Sequence, residues 1–287
     1  MYEGVLDMID SIMDGVIDTL KLLPYLFITF IILEILEHKL NKKNEKVLTK
    51  NKKYGPFIGS LLGAIPQCGF STMAANLFSS RVITIGTLVA VFLSTSDEML
   101  PIMISEKVNI TIILKIIGFK IIVGMIVGLI VDLILKSSND KLKNHIHDRC
   151  EDDHCHCDED GIIKSSIKHT IKIGLFILIA NLVINIIIFS IGEDKLSDIL
   201  LSKNIFTYFI ASLVGLIPNC ASSVIITELY LSNLITLGCL LAGLLPGSGV
   251  GILLLFKTNK NMKENILILS IIYFVGVVLG ILVDIII

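Results

Sequence analysis

The chain has 287 residues, 54% hydrophobic and 17% charged, with mean hydropathy +0.84 and a formal net charge of −2. Soluble domains are nearer a quarter charged, and several runs here exceed the 18 or so apolar residues that mark a spanning helix, too many for a signal peptide. A soluble domain is excluded; the composition is that of an all-α polytopic membrane protein with lipid, not nucleic acid, as its surroundings.

Residues 1–19 read as an amphipathic helix on the outer surface, carrying Asp7, Asp10, Asp14 and Asp18. Spanning helices are expected at about 20–37, 56–79, 110–135, 168–191, 205–231 and 263–287. Two further apolar segments, 82–106 and 234–256, are divided by "STSDE" (94–98) and "PGSG" (246–249). Each half holds about a dozen residues and reaches about 18 Å, short of a core of about 30 Å. The reading is a re-entrant helical hairpin at each, with its tip near the midplane. Two short tilted crossings would give the same sidedness, and about ten membrane segments in all.

Ser60–Ile134 aligns without gaps on Ser212–Ile286, with Ser60, Gly63, Ile65, Pro66, Cys68, Ser71, Thr84, Gly86, Ala90 and Ser96 on identical partners. "TLKLLPYLF" (19–27) pairs with "TIKIGLFIL" (170–178) at an offset of 151. A repeat of this length is not chance apolar similarity. Its boundaries give a first membrane repeat over 20–135, a linker over 136–167 and a second repeat over 168–287. Three spans and one hairpin make an odd number of crossings, so the copies should be inverted. The charges agree: the loop 37–53 carries seven lysines, its counterpart 191–204 is mildly acidic, and Lys164, Lys168 and Lys172 stand where the first copy has aspartates. Positive-inside reasoning places 38–55, the linker and 257–264 in the cytoplasm and both termini outside. Inverted repeats are a transporter architecture.

Two constellations within the membrane could carry chemistry. Pro66-Gln67-Cys68 and Pro218-Asn219-Cys220 break their helices at equivalent points, freeing carbonyls beside amides and thiols; such backbone at membrane depth must be satisfied by protein or water. Ser71 and Ser223 lie one turn on. At the divided segments, Ser96, Asp97 and Glu98 are matched in the other copy by the glycine-rich Pro246, Gly247, Ser248 and Gly249. A charge there costs about 2.5–3.5 kcal/mol, which suits a divalent cation with Asp97 as ligand and Glu98 as proton carrier. Lys120, deep in 110–135, would neutralise Asp97 or Glu98 when no cation is bound, whereas Lys115 can snorkel. Gly124, Gly128, Gly276 and Gly280 read as packing faces, Asp132 and Asp284 as solvated helix ends, Glu34 and Glu228 as lining an access path or an interface, and Cys239 as core.

The linker "HIHDRCEDDHCHCDED" (145–160) gathers four histidines, three cysteines and seven acidic residues. It lacks the paired spacing of a folded zinc module. A flexible metal-loading or sensing tether fits His145, His147, Cys150, His154, Cys155, His156 and Cys157, with zinc, copper or manganese as candidate ions. With no secretory signal, reduced thiols are expected.

Read as one unit, "GAIPQCGFSTMAANLFSSRVITIGTLVAVFLSTSDEMLPI" (63–102) resembles the ten-helix (10TM) heavy-metal exporters of bacteria, a family whose members go by the names arsenic efflux protein and manganese transporter. The resemblance covers essentially the whole chain, and its most specific parts are Pro-Gln-Cys-Gly and Ser-Thr-Ser-Asp-Glu. It implies a cytoplasmic-membrane exporter of a metal or metalloid, manganese foremost.

No G-x-x-x-x-G-K-[ST] loop occurs, so transport should be secondary, with proton antiport as compensation and no resident cofactor. One alternative is an arsenite or organoarsenical permease using Cys68 and Cys220. Another is a membrane metal sensor acting through the linker. No H-E-x-x-H or G-x-S-x-G set suggests an enzyme. Oligomeric state and coupling ion are left open by sequence.

Overall fold

A computed structural model describes residues 54–65, 68–96, 98–135, 162–191 and 205–286, together with twelve helical positions between 13 and 31. Most of the outer-surface helix, Glu34, Pro66, Gln67, Asp97 and the linker ligands lie outside the described residues, as does the Cys68 side chain. The helices are α1 (Gly55–Gly63), α2 (Cys68–Ser79), α3 (Ile85–Ser94), α4 (Met99–Ser105), α5 (Ile110–Ile134), α6 (Ile162–Ile191), α7 (Phe206–Gly215), α8 (Cys220–Leu231), α9 (Leu237–Leu244), α10 (Gly251–Thr258) and α11 (Met262–Ile286). Every described element is helical, and several are long and apolar, as a polytopic all-α membrane protein requires.

The duplication is written into the helix ends. α2, α5 and their counterparts α8 and α11 begin and end at positions 152 apart. Thr84 and Thr236 cap α3 and α9, each hydroxyl accepting from the backbone three residues on. α2 and α8 both close in a Schellman motif. In one, Arg81 N donates to Phe78 O at 2.8 Å and Val82 N to Leu77 O at 2.9 Å; in the other, Asn233 and Leu234 repeat the pattern. The C′ residue must be left-handed there, and Arg81 (φ 60°) and Asn233 (φ 57°) adopt it without glycine.

Direction follows from which residues lie side by side. Gly59 faces Thr87 and Val91, and the hydroxyl of Ser96 donates to Ala64 O at 2.8 Å, so α1 and α3 run parallel. Both start at the level where Asp132 ends α5. α2 must therefore return to that level, because only Ser80–Thr84 separate it from α3. Residues 55–79 thus fold back on themselves: α1 and α2 rise roughly 13 and 18 Å, each about half of a bilayer core. α3 goes to mid-depth and α4 continues onward, since α5, roughly 37 Å long, comes back from the far side. Ile85–Ser105 is long and apolar enough to cross as one interrupted segment. α7–α8 and α9–α10 repeat this arrangement.

The expected roles of the two segments are therefore exchanged. The stretches 56–79 and 205–231, read as full spans, are the hairpins; 82–106 and 234–256, read as hairpins, are broken crossings. Their physical placement explains it. α3 is buried along its length and α9 from Gly238 onward, at the centre of the protein. α5 and α11 present rows of exposed isoleucine and leucine outward. The number of crossings is unchanged.

The copies interlock. α2 packs along α10, with Gly251 against Ser71 and Ser79 against Thr258, and α8 packs on α4. Arg81, before α3, pairs with Glu264 at the start of α11, so α11 begins at the face where α5 ends. The two long helices run in opposite directions.

Close approach at the centre needs small residues. A β-carbon on Gly124 would lie 2.7 Å from the Ala90 carbonyl, and one on Gly276 2.8 Å from that of Ala242. Asp132 and Asp284 are staples rather than solvated helix ends. Asp132 accepts the Thr84 hydroxyl at 2.7 Å and Gly86 N–H at 2.9 Å; Asp284 accepts Thr236, Gly238 N–H at 2.8 Å and Tyr208 at 2.7 Å. A carboxylate suits the positive N-terminal end of α3 or α9, and this pulled both residues inward. Cys239 is buried, as expected of a core thiol, while Lys115 and Glu228 are exposed.

Candidate metal site at the helix breaks

The breaks of both copies meet around a cavity of about 10 Å³ lined by Thr95, Ser96, Met99, Lys120, Asn219, Cys220, Ser222, Ser223, Leu244, Gly247 and Gly249. That is room for about one water molecule or one small ion. Each wall follows from local sequence. Pro218 ends the α7 arm and Asn219 caps α8, its amide oxygen accepting from Ala221 N at 2.9 Å. This sets the Cys220 thiol at the first turn of α8. Ser222 and Ser223 bond back to the carbonyls of Asn219 and Cys220, both at 2.8 Å. Across the cavity, α3 stops at Thr95, and α9 gives way to Pro246-Gly247-Ser248-Gly249, where Gly249 takes φ 50°.

Lys120 sits at the junction. It is 1% exposed, and its ammonium donates to Leu244 O at 2.7 Å and to Thr95 O. These carbonyls terminate α9 and α3, one helix from each copy. Helix C-terminal ends carry partial negative charge, so a buried cation is held where two such ends converge. The expectation paired Lys120 with Asp97 or Glu98, and Asp97 lies outside the described residues; the two bonds to main-chain carbonyls are ones hydropathy cannot reveal.

Of the sequence-derived candidates, the cavity brings together Ser96, Lys120, Asn219, Cys220, Ser223, Gly247 and Gly249. Glu98 is half-buried at the start of α4. Ser71 is fully buried against Gly251 and is not among the lining residues. Pro246 is buried against Gly276, and Pro218 is half-buried at the α7–α8 turn. Ser248 is fully buried, and its hydroxyl has no hydrogen-bond partner among the described residues. Thr95, Met99, Ser222 and Leu244 were missed. The runs Ser-Thr-Ser and Ala-Ser-Ser flag the two hydroxyl residues, whereas nothing in sequence marks a methionine or leucine as lining.

The donor set is mixed: neutral oxygens of hydroxyls, amide and carbonyls, one thiol and one thioether. Among the described residues, no three His, Cys, Asp or Glu side chains converge. A small cation could be held reversibly by such a set, and a preformed thiolate or carboxylate cage of the structural-zinc kind is not built from these residues.

The family model described as "Putative, 10TM heavy-metal exporter" matches residues 7–194, well over half of the chain. That stretch includes the first copy, the linker and the first helix of the second copy. No match was found among curated proteins or solved structures. The multi-pass helical architecture and this match together make the chain a member of the 10TM heavy-metal exporter family.

Proposed function

We propose that this chain is a secondary transporter that exports a divalent heavy-metal cation, manganese foremost, across the bacterial cytoplasmic membrane in exchange for protons. The two copies act as inverted-topology repeats. The linker lies in the cytoplasm and both termini outside. Lys120 carries the reading: a buried ammonium ligated by the C-terminal carbonyls of α3 and α9 marks a place built to hold positive charge between the copies. Half-helix ends and unwound carbonyls serve cations in this way in transporters of similar architecture. Asn219, Cys220, Ser96 and Ser223 surround the same point, and Asp97 and Glu98 would bring the compensating negative charge. Expelling a divalent ion against an inside-negative potential costs about 4.6 kcal/mol per 100 mV, which proton entry offsets. The linker histidines and cysteines would collect metal from the cytoplasm.

The test is metal uptake by inside-out vesicles, with manganese, zinc and arsenite each offered with and without a pH gradient. Asp97→Asn should abolish divalent uptake while the protein still inserts; undiminished uptake removes Asp97 from the mechanism. A second reading draws on Cys220 as a cavity-lining thiol: a soft cargo such as arsenite. Cys68→Ser with Cys220→Ser would then abolish arsenite transport, whereas a carrier of hard ions would keep most of its activity.

A further inference from the structure

The copies are equivalent in sequence but not in how they meet. The α2–α10 contact has α8–α4 as its counterpart. Along α2–α10, a β-carbon on Gly251 would come within 2.9 Å of Ser71 Cβ, so the two backbones are in direct contact. Ser79 Oγ and Thr258 Oγ1 share a hydrogen bond of 2.6 Å. Just beyond, Arg81 Nη1 donates to Glu264 Oε2 at 2.7 Å, with both side chains largely covered. Asn259 Nδ2 donates to Asn265 Oδ1 at 2.7 Å and to Glu264 Oε2 at 3.3 Å.

None of this chemistry is present at the positions 152 away. Ser79 and Thr258 correspond to Leu231 and Glu106, Arg81 and Glu264 to Asn233 and Ile112, and Asn259 and Asn265 to Lys107 and Ile113. Ile112 is exposed, and Met99 and Ser223, which answer to Gly251 and Ser71, line the cavity. One face is thus zipped by polar pairs across the copies. At the other, the same helices carry no such pairs and place Met99 and Ser223 at the cavity.

We infer that Arg81–Glu264, Ser79–Thr258 and Asn259 form a gate on the Arg81 face, closed in this structure, and that the cavity is reached from the Asn233 face between α4 and α8. This rests on the transport reading, under which the Arg81 face is cytoplasmic and the gate must part for metal to enter. Arg81–Glu264 and Ser79–Thr258 join the two copies through side chains alone, and Asn259 holds Glu264 from within the second copy, so the gate can open without unfolding either one.

The readout is independent of cargo: labelling of Cys220 by a membrane-impermeant maleimide in the full-length chain, its other five cysteines replaced by serine, in vesicles of both orientations. Labelling from the Asn233 face should be fast and from the Arg81 face slow. Arg81→Ala should raise labelling from the Arg81 face on the order of fivefold, as loss of a partly covered ion pair would. The exchange Arg81→Glu with Glu264→Arg should return it to the slow rate. If Arg81→Ala does not fold, Ser79→Cys with Thr258→Cys replaces it: oxidation should shut labelling from that face, and reduction should restore it. Equal labelling from both faces, unmoved by the charge variants or by the cross-link, overturns the gate. Failure of metal uptake with labelling as described would instead remove the cargo reading and leave the gate standing.

Discussion

Replacing Asp132 by alanine tests whether the broken helices are held in place by their N-terminal staples. The carboxylate accepts the Thr84 hydroxyl at 2.7 Å and Gly86 N–H at 2.9 Å, at the positive end of α3. Each hydrogen bond to a charged group is worth about 1.5–3 kcal/mol, and the helix end adds about 0.3–1 kcal/mol. Against this, Thr84 already lies 2.8 Å from Thr87 Oγ1 and can re-pair, and the carboxylate no longer has to be desolvated. The net cost should be about 2–4 kcal/mol. Asp284→Ala is the internal control. It removes the same two bonds plus a third, from Tyr208 at 2.7 Å, and should cost about 1 kcal/mol more. Tyr208→Phe alone should account for that difference. The assay is reversible unfolding in mixed micelles with increasing SDS, followed by far-ultraviolet circular dichroism because the chain has no tryptophan. A loss under about 0.5 kcal/mol for Asp132→Ala, or a smaller loss for Asp284→Ala than for Asp132→Ala, refutes the staple.

Lys120→Met leaves two buried carbonyls unpaired but relieves the burial of a charge. The variant should lose about 1–3 kcal/mol in the same unfolding assay and at least tenfold in vesicle uptake; wild-type values in both would make the Thr95 and Leu244 bonds incidental. Ser248→Ala removes a hydroxyl without a hydrogen-bond partner among the described residues, so stability should stay within about 0.5 kcal/mol. If that hydroxyl is kept for the cation, the KM for metal uptake should rise severalfold, and an unchanged KM excludes it.

The repeat and its breaks were legible because proline, cysteine and glycine keep register where aliphatic residues drift. Reading Ser60–Ile134 against Ser212–Ile286 located the four interruptions, and the structure has a break at each. Which interruption reverses the chain was not legible. A 25-residue hairpin and a 21-residue broken crossing have similar length and hydropathy, and only the parallel packing of α1 on α3 separates them. The polar Ser-Thr-Ser-Asp-Glu stretch looks like a hairpin tip, yet a crossing interrupted at mid-depth exposes the same groups. Lys120 was legible as deep but not as ligated by carbonyls, since backbone acceptors leave no trace in side-chain chemistry. Asp132 and Asp284 were read as solvated because they end their helices; the threonine and glycine that hold them lie 46–48 residues away.

The exchanged roles of hairpin and broken crossing also account for the number of segments. Each copy has an initial helix, two hairpin arms, one interrupted crossing and one long helix, which makes five apolar segments but three passages through the membrane. Counted with the expected span over 20–37, of which only some positions are described, two copies give ten segments and six passages. The odd number per copy is what turns α11 against α5, and the turned copies in turn bring α3 and α9 end to end at mid-depth, with their carbonyls facing one cavity. Had each hairpin instead been one single crossing, each copy would cross four times, α5 and α11 would run the same way, and Glu264 could not lie beside Arg81. The 2.7 Å ion pair between them is therefore tied to the same topology that builds the cavity.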